Sequence, residues 1–141
     1  MSRVQLALNV SDLDAAVAFY SKLLATEPAK VRPGYANFAV ADPPLKLVLI
    51  AGEGAGATLN HLGLEVETPA EVVQARDRLA GEGLATAAEE GVSCCYAMQD
   101  KVWVDDPDGA PWEVYTVLAD ADVMGCGSGG GATTAARSHC C

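Results

Sequence analysis

The chain has 141 residues, half of them hydrophobic and a fifth charged, with a formal net charge of -10. That length allows one domain with its own core. No apolar run approaches the ~20 residues of a membrane-spanning helix, and the negative charge argues against nucleic acid as a partner.

The chain enters an alternating apolar pattern at once, RVQLALNV over residues 3–10, so no signal peptide is expected and the location is read as cytoplasmic. Val4, Leu6, Leu8 and Val10 share one strand face, and Arg3, Gln5, Ala7 and Asn9 the other. Ser11-Asp12 offers an N-cap, and Leu13, Val17, Tyr20 and Leu24 recur at helical spacing, so a helix is expected over about residues 12–25. Strands are expected over 35–40 and 45–50, divided by Asp42-Pro43-Pro44, and EGAGA at 53–57 reads as a linker. The order then restarts. NHLGLEV at 60–66 is a strand. Thr68-Pro69 opens a helix, with Glu71 in its first turn, running to Gly81 or Gly83. Strand pieces are expected near 84–89, 93–98, 101–105 and 112–118, with a turn at Asp106-Pro107-Asp108-Gly109.

Two β-α-β-β-β modules result, about 3–52 and about 58–118, within an α+β domain spanning 1–120. Placing Gln5 on His61 brings Leu8 onto Leu64, Val10 onto Val66 and Leu23 onto Leu79, which is the mark of an internal repeat. By pattern Leu47 corresponds to Glu113. From Gly125 the chain is rich in Gly, Ser and Thr, and residues 121–141 are expected to form a flexible tail ending in Cys140 and Cys141.

Superposing the modules makes Gln5, Leu47, His61 and Glu113 converge. Three of the four can coordinate a metal. An imidazole, an amide oxygen and a carboxylate with positions left open resemble the facial arrangement of non-haem Fe(II) oxygenases, with Gln in place of one His. Glu113 sits in the apolar run Trp112-Glu113-Val114-Tyr115, where a buried carboxylate needs a partner or a metal. Cys94 and Cys95 are adjacent thiols, soft ligands for a soft acceptor such as arsenic. Consecutive Cα atoms are about 3.8 Å apart and disulfides prefer about 4.4 Å or more, so they are read as free thiols. In a regular strand they would face opposite ways, and both reach one arsenic atom only where the backbone bulges or turns. Cys126, Cys140 and Cys141 offer a second thiol group in the tail.

With these residues in hand, the chain resembles the vicinal oxygen chelate superfamily, which includes glyoxalase I, extradiol dioxygenases and bleomycin-resistance proteins. GYANFAVADPPLKLVL at 34–49, LNHLGLEVE at 59–67, CCYAMQDKVWV at 94–104 and PWEVYTVLAD at 111–120 are similar to bacterial carbon–arsenic lyases, the ArsI proteins, and to CadI-like proteins. The resemblance implies an Fe(II)-dependent dioxygenase using O2 to cleave the C–As bond of trivalent organoarsenicals, methylarsenite and trivalent aromatic arsenicals among them, with arsenite as product. It places the metal ligands on Gln5, His61 and Glu113 and the substrate thiols on Cys94 and Cys95. It is compatible with a single chain or a homodimer. The alternative is a non-catalytic protein that holds cadmium or arsenite through its thiols. A glyoxalase-type isomerase or thiol transferase is a third reading, opposed by Leu47 at the fourth ligand position.

Overall fold

In the computed structural model, residues 2–52 and 58–122 are described. The expected linker at 53–57 lies outside them, as does nearly all of the expected tail, with Cys126, Cys140 and Cys141. The first module runs β1 (Arg3–Val10), α1 (Leu13–Leu23), β2 (Lys30–Arg32), β3 (Tyr35–Val40) and β4 (Leu45–Ala51). The second repeats it as β5 (Thr58–Glu65), α2 (Pro69–Gly81), β6 (Ala87–Cys94), β7 (Ala97–Asp105) and β8 (Pro111–Asp120). The short strand β2 was not expected, and β6 begins later than the piece expected near residue 84.

The strands form one mixed sheet in the order β2-β3-β4-β1-β5-β8-β7-β6. Within each module the first and last strands pair in parallel, β1 with β4 and β5 with β8. β1 and β5 pair antiparallel at the centre, where Leu6 faces Leu62. These two residues are equivalents under the same 56-residue offset that separates Gln5 from His61, so the pseudo-twofold axis passes between them.

Both helices start as the sequence suggests. Asp12 caps α1 by accepting a hydrogen bond from the Ala15 backbone at 3.0 Å, and Thr68 and Glu71 form a capping box ahead of α2. The helices cover one face of the sheet. Leu13, Ala16, Val17, Tyr20 and Leu24 pack on Phe38, Leu47 and Leu49, while Val72 and Ala75 pack on Val102 and Val114. None of the described helices is long and apolar enough to cross a membrane.

The other face curls on itself. At the sheet's two ends Tyr96 and Tyr35 approach to 5.5 Å between ring centroids, and Lys30 of β2 donates to the Tyr96 carbonyl at 3.1 Å. The concave interior of that curl holds the polar residues described next.

Candidate metal centre

Gly63 of β5 is flanked in register by Gln5 of β1 and Glu113 of β8. His61 lies two residues earlier on β5 and so points to the same face. A Cβ on Gly63 would stand 3.2 Å from both Gln5 Nε2 and Glu113 Cγ, so any larger residue would make those two side chains shift. Gln5, His61 and Glu113 are 4%, 0% and 2% exposed.

Their polar ends make a small triangle. Gln5 Nε2 is 2.8 Å from Glu113 Oε1 and 3.1 Å from His61 Nε2, and His61 Nε2 is 3.3 Å from Glu113 Oε1. Ligands about 2.1 Å from one ion and at right angles to each other stand about 3.0 Å apart. The triangle therefore has the size of one octahedral face, and imidazole, amide and carboxylate suit a first-row divalent cation. Among the described residues no three His, Cys, Asp or Glu gather to hold a metal; the third donor here is an amide.

Each corner is held from behind. His61 Nδ1 lies 2.7 Å from Asn60 Oδ1, while Asn60 Nδ2 donates to Asn9 Oδ1 at 3.0 Å and Asn9 Nδ2 to Thr58 Oγ1 at 2.9 Å. This chain makes Asn60 Oδ1 an acceptor, so a neutral imidazole keeps its proton on Nδ1 and turns its Nε2 lone pair to the triangle, whereas the protonated ring carries a second N–H at Nε2, 3.3 Å from Glu113 Oε1, and attracts that carboxylate. Gln5 Oε1 accepts from the Tyr115 hydroxyl at 2.5 Å, and that hydroxyl is 3.2 Å from Glu65 Oε2, to which Arg3 Nε donates at 2.6 Å.

Lys101, 1% exposed, donates to Glu113 Oε2 at 2.8 Å. Burial alone would raise the Glu113 carboxyl, but Lys101 and His61 outweigh it and bring the pKa down to about 2. Burial pushes the Tyr115 phenol well above its usual range. Lys46, the register partner of Gln5 on β4, has its Nζ 5.3 Å from the Tyr115 ring, and burial lowers its pKa.

Cys94 closes β6. Cys95 and Tyr96 form the turn into β7 with φ of 51° and 58°, as a two-residue hairpin of the primed type requires. The strand expected over 93–98 is thus broken at Cys95-Tyr96 into the end of β6 and the start of β7, which frees the two cysteine side chains from opposite-face alternation. Both cysteines are buried with Ala7, Tyr35, Val48 and Ile50, and Ala7 is the register partner of His61. The turn is pinned from Tyr96, whose hydroxyl donates to the Pro33 carbonyl at 3.3 Å and whose own carbonyl accepts from Ala121 N at 2.9 Å.

Residues 3–114 match the Glyoxalase/Bleomycin resistance protein/Dioxygenase superfamily. The chain belongs to that superfamily. A trivalent organoarsenical cleaving enzyme of Thermomonospora curvata is 65% identical to it over 125 residues, 88% of this chain and 83% of that protein. The cadmium-induced protein CadI of Mycobacterium bovis is 61% identical over 127 residues, 90% of this chain and 84% of that protein. Among solved structures, the Mn(II)-bound glyoxalase from Novosphingobium aromaticivorans superposes with a TM-score of 0.62 at 21% identity, over 91% of this chain and 44% of that one. An extradiol ring-cleaving dioxygenase from B. fuscum gives 0.61 at 23% identity, over 85% of this chain and 34% of that one. These two share the fold.

Two expectations are corrected within this superfamily frame. Leu47 is not the counterpart of Glu113. Gly63 faces Glu113, and its repeat equivalent Ala7 faces Val48. The alignment slips by one residue, and one residue turns a strand side chain to the other face. Leu47 lies under α1, and Val48 occupies the interior position. Val48, like Leu47, has no atom that could ligate a cation.

The expected free thiols are not found. Cys94 and Cys95 are disulfide-bonded, and none of the described cysteines is free. Sulfurs within reach of a partner oxidise unless their surroundings keep them reduced, so thiol chemistry at this turn starts with reduction.

Tyr115, Gly63 and Lys101 were not singled out from the sequence. Tyr115 and Gly63 each stand two residues beyond a predicted ligand, and period two alone places them on the ligand's face.

Proposed function

We propose that this chain is an Fe(II)-dependent dioxygenase that cleaves the carbon–arsenic bond of trivalent organoarsenicals and releases arsenite. Gln5, His61 and Glu113 are the metal ligands, and reduced Cys94 and Cys95 bind the arsenic. One observation carries the reading: the amide of Gln5, the imidazole of His61 and the carboxylate of Glu113, from β1, β5 and β8, meet within 3.3 Å of each other in a buried interior, on the face where the two cysteines also pack. The 65% identity to an organoarsenical cleaving enzyme supports the substrate class. All three donors come from one chain, so a second copy is not needed to complete the set.

Bound Fe(II) supplies the redox chemistry that activates O2. The protein's part is placement. Glu113 brings the negative charge that holds the cation, and Lys101 ties down its second oxygen, leaving one oxygen for the ion. His61 offers Nε2 because Asn60 holds the proton on Nδ1. The two cysteine sulfurs fix arsenic beside this point, which makes attack at its carbon effectively intramolecular. Burial of the whole group keeps bulk water from the reacting bond.

The second reading, a thiol protein that binds cadmium or arsenite without turnover, is favoured by the 61% identity to cadmium-induced CadI proteins. One experiment separates them. Reduced protein with Fe(II) and methylarsenite under anaerobic conditions should release no arsenite until air is admitted, and then release it over many turnovers. Stoichiometric retention of arsenic in air establishes the binder; release without iron or without O2 rejects both proposals as written.

A further inference from the structure

We infer that Tyr115 and Glu65 decide which end of the Gln5 amide meets the cation, acting as positioning residues behind it; this rests on the reading of Gln5 as a ligand. As the structure stands, Gln5 turns its Nε2 toward His61 Nε2 and Glu113 Oε1, and its Oε1 toward Tyr115. The two hydrogens of that NH2 lie between two acceptors, where a cation's charge would otherwise lie. An amide nitrogen is a poor ligand because its lone pair is delocalised into the carbonyl; the oxygen is the donor. Ligation therefore needs the opposite orientation, with Oε1 in the triangle and the NH2 against Tyr115.

The surroundings of Tyr115 suit that orientation. A hydroxyl has one proton and can also accept. Its proton has two acceptors within reach, Gln5 Oε1 at 2.5 Å and Glu65 Oε2 at 3.2 Å. When the amide turns, its NH2 donates to the Tyr115 oxygen, and the Tyr115 proton swings to Glu65. No covalent bond is broken and no group changes charge; the Gln5–Tyr115 hydrogen bond reverses, the Tyr115 proton passes from Gln5 to Glu65, and the amide's bonds to His61 and Glu113 are given up to the cation. Arg3, 2.6 Å from the same Glu65 oxygen, holds the carboxylate in place. The pair Tyr115–Glu65 is thus a hydrogen-bond reserve that lets Gln5 present oxygen without stranding its NH2 in a buried interior, where an unmade hydrogen bond is costly. Without Glu65 the Tyr115 proton has Gln5 Oε1 as its acceptor, and that bond opposes ligation.

The test is a double-mutant cycle on the reduced full chain, titrated anaerobically with Co(II) and read by its visible absorption, with thermal unfolding to confirm each fold. Glu65→Leu should weaken Co(II) binding roughly tenfold. In a Tyr115→Phe background the same change should alter it by less than about twofold, because the hydroxyl that couples Glu65 to Gln5 is gone. Gln5→Glu gives a second arm: its side chain offers oxygen whichever way it turns, so Glu65→Leu should lose its effect there too. An equal loss with and without Tyr115, or no loss in the single variant, overturns the inference. Gln5→Ala with wild-type Co(II) affinity would instead remove the ligand reading beneath it.

Discussion

Gly63 and Glu113 face each other across the β5–β8 pair, and a Cβ on Gly63 would lie 3.2 Å from Glu113 Cγ and equally close to Gln5 Nε2. The contacts are tighter than van der Waals, and the atoms that must yield belong to two proposed ligands. Gly63→Ala should therefore leave the fold intact, with a stability change under about 1 kcal/mol, and lower Fe(II) affinity about tenfold or more. Anaerobic Fe(II) titration beside a urea melt separates the two effects. Unchanged affinity would mean that the triangle tolerates the methyl and that this close fit carries no function.

Lys101 and Glu113 form an ion pair at 2.8 Å with both side chains almost fully buried. Removing one member leaves the other charged and unsolvated. Lys101→Met should destabilise the protein by about 3–5 kcal/mol. Because a cation on Glu113 would replace the lost charge, saturating Fe(II) should recover part of that loss. Equal destabilisation with and without metal would argue that Glu113 does not bind it.

Glu113 also makes the stability of the fold depend on pH. Its carboxyl is depressed from 4.5 to about 2, burial being overcome by Lys101 and His61. As pH falls the unfolded chain takes up the proton first, so the stabilisation is complete above about pH 5.5, shrinks through pH 4, and is gone below about pH 2. It is worth about 3 kcal/mol. Urea midpoints across pH 6 to 3 should fall more steeply in the wild type than in Glu113→Gln; parallel curves would contradict the assignment.

Much of this arrangement was legible in the sequence, and the lapses share one cause. Helical spacing at Leu13, Val17 and Tyr20, period-two alternation in RVQLALNV, and the restart at NHLGLEV are local patterns, and each folds as read. Leu6 facing Leu62 is the repeat made visible in the sheet. What failed depends on register or on a turn without its usual residues. Leu47 and Val48 are both apolar and both buried, so nothing in composition tells which faces inward. The Cys95-Tyr96 turn has positive φ at two residues but no Gly, Asn or Asp to announce it. Tertiary contacts, Tyr96 to Pro33 and Lys30 to the Tyr96 carbonyl, hold it instead, and those join residues more than sixty positions apart.

The cysteines carry a redox prediction. Oxidised protein, with Cys94 and Cys95 in disulfides, should bind no methylarsenite. Thiol-free phosphine reduction followed by removal of the reductant should restore one arsenic per chain, measured on the protein after gel filtration. Arsenic bound equally before and after reduction would place the arsenical elsewhere.

The most direct test asks whether metal and arsenical occupy separate residues of one interior. Fe(II) and arsenic per chain would be measured together on reduced protein carrying Cys126→Ser, Cys140→Ser and Cys141→Ser, and on the same protein with Cys95→Ser or Glu113→Ala added. The parent should carry one of each, Cys95→Ser iron without arsenic, and Glu113→Ala arsenic without iron. Loss of both in either variant, or iron retained by Glu113→Ala, would contradict the account.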